Sequence, residues 1–93
     1  MPTPLLLLCV ATAWPLPGLG LLVLPAASTP HLVDYDLHTA LAVEAVLPGG
    51  ACYRGTATVE EITRAEVAER GLLLELAQDT PGLLPGTEIW LVG

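Results

Sequence analysis

Residues Leu5 to Pro25 read LLLLCVATAWPLPGLGLLVLP and contain no charged side chain. Whether this stretch is an export signal, a membrane span or a pair of strands decides the fold. A spanning helix needs about 20 consecutive helix-compatible apolar residues. Pro15, Pro17, Gly18 and Gly20 interrupt this run near its middle, so no membrane span is expected. An export signal is the serious rival, because the run is followed by Pro25-Ala26-Ala27-Ser28, a small-residue site at which residues 1–28 would be removed. The leading Met1-Pro2-Thr3-Pro4 has no positive charge, however, and the apolar run comes in two blocks. Leu8 is also too bulky before Cys9 for a lipoprotein anchor, and cleavage would leave Cys52 without an intramolecular partner. Two buried strands, Thr3–Trp14 and Leu19–Pro25, with Pro-Leu-Pro-Gly between them, fit the block lengths and the Pro and Gly boundaries.

Further along, Leu41, Val43, Ala45 and Leu47 alternate with Glu44 on the other face, which predicts a half-buried strand over Thr39–Leu47. Pro48-Gly49-Gly50 is a hairpin connection. Tyr53, Thr56, Thr58, Val59 and Ile62 give the following segment its strand composition. A helix competes here: Thr58 and Glu61 make a capping box, and Glu60/Arg64 and Glu66/Arg70 are spaced as helical ion pairs. Only Val59, Ile62 and Val67 are strongly apolar, too few for a core-facing stripe. The expectation is a strand to about Ile62, then a polar loop with one helical turn. Strands follow at Gly71–Leu76 and Thr87–Val92, separated by a loop with two Pro-Gly turns. Six short strands with turn signals between them predict an all-β fold, a small closed six-stranded β-barrel filling residues 1–93 as a single domain.

Ten acidic residues face three arginines and no lysine, a net charge of −7. Nucleic-acid affinity rests mainly on Lys and Arg contacts, so direct nucleic-acid binding is not expected. A basic protein partner suits the charge, although acidity also serves solubility alone.

The order of segments resembles the second, β-barrel domain of translational GTPases of the elongation factor Tu class. The resemblance runs from about Leu5 to Val92. Trp14, Gly18, Gly20, Leu21 and Val23 occupy the places of an aromatic, a turn and a GRGxVxxG-like strand. Leu37, Leu41 and Val43 match a VGDxVxL-like segment, and Val59, Glu60 and Ile62 a GVEMF-like strand. GLLLEL is similar to the family's VGVLL, and Gly86 precedes its closing strand. Leu19 stands where the family has a basic residue, and His38 and Thr39 replace its Gly-Asp pair. The sequence has no GxxxxGK[ST] phosphate loop. The resemblance implies a barrel that binds partners and performs no chemistry.

His31, Asp34, Asp36 and His38 form the one local cluster of metal-ligand types; in an extended segment the last three share a face, in donors suited to zinc or a similar ion. A solvated connection is the plainer account, and no metal is assigned to it. Glu60 and Glu61 are adjacent, so in a strand they point to opposite faces and cannot form an acid–base pair. Trp14 and Trp90 lie in apolar strands, where core packing is the usual use of an aromatic. Cys9 and Cys52 read as small buried apolar side chains. The single serine, Ser28, sits at no strand-to-helix elbow.

No catalytic, cofactor-binding or metal residues are therefore assigned. The expectation is a stand-alone non-enzymatic barrel, cytoplasmic, without a cofactor, acting through a protein partner. Two alternatives remain: an exported small envelope protein lacking residues 1–28, and an acidic inhibitor or immunity-type protein that neutralises a basic target.

Overall fold

The computed structural model describes residues 5–26, 31–76 and 83–92. Six strands lie among them: β1 (Leu5–Leu16), β2 (Gly20–Pro25), β3 (Ala40–Val46), β4 (Cys52–Arg64), β5 (Val67–Leu76) and β6 (Glu88–Leu91). They close a barrel in the order β1-β2-β5-β4-β3-β6, every neighbouring pair antiparallel. The uncharged stretch thus forms two of the six walls. Its strand boundaries fall within a few residues of those expected, with the turn at residues 17–19.

Alternation fixes which side chains fill the interior. Val23, Val43, Ala45, Val59, Leu72 and Ile89 are buried on the inner face. Each Val, Leu or Ile among them contributes about 1.5–3 kcal/mol on leaving water. Leu41 and Leu47 pack against this core from the ends of the predicted β3 face. Two segments outside the wall add to it: Leu32, from a short 3-10 helix at Leu32–Asp34, and Leu83, ahead of β6.

β1 is long because it serves two partners. Its first half pairs with β6, through Leu5↔Leu91 to Cys9↔Glu88, and its second half with β2. The register shifts between Leu6 and Leu8 and again between Val10 and Thr12. A bulge bends the strand and resets its alternation, which is how the adjacent Leu7 and Leu8 are both buried. Pro15 lies beyond the reach of β6, opposite Leu21 of β2. There β1 has an open side, where a residue lacking a backbone donor is tolerated.

Gly20 starts β2 with φ +124, and a Cβ there would collide with the Leu74 carbonyl oxygen. Only glycine lets the hairpin turn and the β2 backbone press against β5 at this point.

The polar loop expected after Ile62 is not formed. β4 continues to Arg64 and β5 begins at Val67, with Arg64 opposite Val67 and only Ala65 and Glu66 between them. Both turn residues have positive φ, 49 and 67. Two-residue hairpins need that geometry because it matches strand twist. The turn was hidden because Ala and Glu stand where Asn or Gly usually marks it. The residues spaced as helical ion pairs are instead separated, Glu60 and Arg64 along β4 and Glu66 in the turn, while Arg70 stands opposite Glu61.

Among the described residues no helix is long and apolar enough to cross a membrane.

Candidate binding surface

The connection from His31 to Thr39 is not extended, so the shared face on which its metal-ligand pattern depended does not exist. His31 precedes the 3-10 helix and makes no side-chain cap to it, and Asp34 lies within the helix. Asp36 supplies its carbonyl to the backbone N–H and the hydroxyl of Thr39, at 3.2 and 2.7 Å. His38 sits in the left-handed region at φ 68 and donates its N–H to the Val59 carbonyl at 2.7 Å. Its Nδ1 lies 2.8 Å from Glu60 Oε2, and the Val59 N–H donates in turn to the Thr39 carbonyl at 3.0 Å, which ties the connection to β4 ahead of β3. Among the described residues no three His, Cys, Asp or Glu side chains are grouped as a metal site. Glu60 therefore faces His38, and Glu61, on the opposite side of the strand, stands across from Arg70.

The cysteines differ from expectation. Cys52 is exposed and Cys9 half-buried, both as free thiols. Cys52 is opposite Val46, Val46 opposite Glu88 and Glu88 opposite Cys9, so three strand spacings of about 4.8 Å separate the two. That is too far for a disulfide. Ser28 lies outside the described residues.

Neither tryptophan is in the core. Trp90 alternates with the buried Ile89 and is half-buried on the outer wall, where its Nε1–H donates to Glu88 Oε1 at 3.2 Å. It stands between Glu44 and Leu6. Glu44 also accepts from Arg54 Nε at 3.3 Å, which makes this wall a polar lattice. Trp14 is 47% exposed and has no such partner row. It stands opposite Leu22, and Leu22 opposite Leu73. Leu22 and Leu73 alternate with the buried Val23 and Leu72, so both face outward, half-buried.

The two walls therefore differ in chemistry. One carries paired charges and an indole tied to a carboxylate. The other carries an indole and two leucines on three adjacent strands, a form of surface suited to contact with an apolar partner. Leu22 and Leu73 escaped sequence reasoning because a strand apolar on both faces reads as fully buried. Pro15 beside Trp14 was the available signal, since Pro marks a strand with an open side.

No protein-family model, curated protein or solved structure matches this chain.

Proposed function

We propose that this chain is a non-catalytic β-barrel binding module that acts through protein–protein contacts, in the manner expected of the second domain of translational GTPases, and that it works in the cytoplasm. One observation carries the reading: an exposed tryptophan, Trp14, is backed by Leu22 and Leu73 on a closed wall. Tryptophan is among the residues that dominate protein interfaces, and a barrel holds it in place at little entropic cost. The elongation-factor-like order of segments supports the same role. Gly18 and Gly20, the glycines that carry the resemblance at the first hairpin, both have positive φ.

The charge favours a basic target, as the acidic-inhibitor alternative also requires. The thirteen charged residues begin only at Asp34, so the acidity resides in the later strands and connections. Capture from the native host under gentle conditions, with intact-mass measurement of the captured chain, tests the module. A stoichiometric protein partner and a chain retaining residues 1–28 are expected. Recovery of the chain alone would count against a binding role, and a product shortened by residues 1–28 would favour export.

A further inference from the structure

We propose that the outer face of β1, β2 and β5 docks a basic amphipathic segment of a partner protein, a proposal that rests on the binding-module reading above. Trp14, Leu22 and Leu73 stand side by side, and with strands about 4.8 Å apart they form a strip about 10 Å wide. Thr58 and Ala40 continue the row as small side chains, leaving a low shoulder beside the leucines. Leu19, 56% exposed in the β1–β2 turn, extends the apolar surface at the hairpin end.

Carboxylates flank this strip. Glu75 is exposed two positions beyond Leu73 on the same face, next to Gly20. Glu60 lies two positions beyond Thr58 and carries His38 with it. Among described side chains the one arginine on the outer side of the neighbouring β4 is Arg54, four positions from Thr58. Its charge is matched by Glu44 at 3.3 Å, which leaves Glu75 and Glu60 in excess, and Arg70 alternates with Gly71 onto the opposite side of β5.

That pattern selects among occupants. A second copy of the chain would bring the same carboxylates against the same strip, between bodies each of charge −7. A purely apolar partner would strip water from the flanking carboxylates and return nothing. A segment with one apolar and one Lys/Arg-rich face satisfies both parts: its apolar side covers Trp14, Leu22 and Leu73, and its cations meet Glu75 and the rim. Rim charges of this kind speed association more than they tighten it.

Calorimetric titration of the full chain with a synthetic helix-forming peptide of leucine and lysine tests this, alongside the peptide with every lysine replaced by glutamine. Saturable one-to-one binding of the lysine peptide is expected, weaker by at least about tenfold for Trp14→Ser and, separately, Leu73→Ser. Val33→Ser, which removes an exposed apolar side chain elsewhere, should leave it unchanged. The glutamine peptide should bind at least about tenfold more weakly, and Glu75→Gln should slow association at low salt. In the unaltered chain, the Trp14 indole N–H resonance should shift on titration while that of Trp90 stays in place, a readout independent of any variant's folding. Equal affinity for all variants, absence of saturable binding, an unmoved Trp14 signal, or self-association abolished by Trp14→Ser would each overturn the proposal. A native partner captured equally by the unaltered chain and Trp14→Ser would overturn this surface and leave the module standing. Capture of no protein by either counts against the module itself.

Discussion

The β1–β2 and β4–β5 hairpins are built from opposite materials. The first runs Trp14-Pro15-Leu16-Pro17-Gly18-Leu19-Gly20, uncharged, with glycine at both positive-φ positions. The second runs from Glu60 to Arg70 with charges on both strands, and places Ala65 and Glu66 in the left-handed region. The first has residues its turn requires and side chains water does not favour. The second has a water-compatible surface and a turn its residues resist. Stability and exposure are therefore separable in this molecule: the first hairpin is fixed by backbone approach to β5, the second by its long antiparallel ladder from Gly55↔Leu76 to Arg64↔Val67.

Removing the first hairpin altogether is the harshest way to break that comparison. A chain beginning at residue 29 lacks β1 and β2 and with them Val10, Val23 and Leu24, all fully buried. β5 and β6 then become open edges, and no cooperative unfolding transition is expected by circular dichroism. A dispersed amide spectrum from residues 29–93 would show that the barrel does not depend on this hairpin.

A single atom in the same place comes next. Gly20→Ala adds a Cβ that meets the Leu74 carbonyl oxygen at φ +124, and a cost above about 2 kcal/mol is expected in urea unfolding. Leu72→Ala, which empties a fully buried site on β5, should cost about 2–5 kcal/mol and calibrates the measurement. A neutral Gly20→Ala would mean that the hairpin does not press on β5.

The second hairpin should respond in the other direction. Replacing Ala65-Glu66 with Asn-Gly relieves two left-handed residues, and a gain of about 1–2 kcal/mol is expected. No gain, with the hairpin register intact by NMR, would remove turn strain from the account. Smallest of all is the exposed pair Arg54–Glu44: Glu44→Gln should shift stability by less than about 1 kcal/mol, and less again in high salt.

The legibility of the two hairpins in the sequence follows the same division. Gly18 and Gly20, with Pro15 and Pro17 before them, announce a break between two apolar blocks, and β1 and β2 lie close to where those residues place them. Ala65-Glu66 announces nothing. The local signals at Thr58–Gly71 were mixed, a capping box and helical charge spacing against strand composition, and pairing of β4 with β5 carries the strand past the expected loop, where Glu61 stands opposite Arg70. In the His31–His38 connection, residue types offered a metal set only beside the plainer solvated loop, and a 3-10 helix anchored by the buried Leu32 removes the extended face that set required.

The sequence by itself determined the strand count, the closed all-β architecture and the inner face of β3, because alternation and Pro-Gly punctuation are local and a greasy chain without helical periodicity must hide its strand edges. Tertiary structure alone decided which apolar side chains face outward. Trp14, Leu22 and Leu73 are chemically suited to either side of the wall. Bulges in β1, the Gly20 contact and the pairing of β2 with β5 set the register that puts all three on the outside.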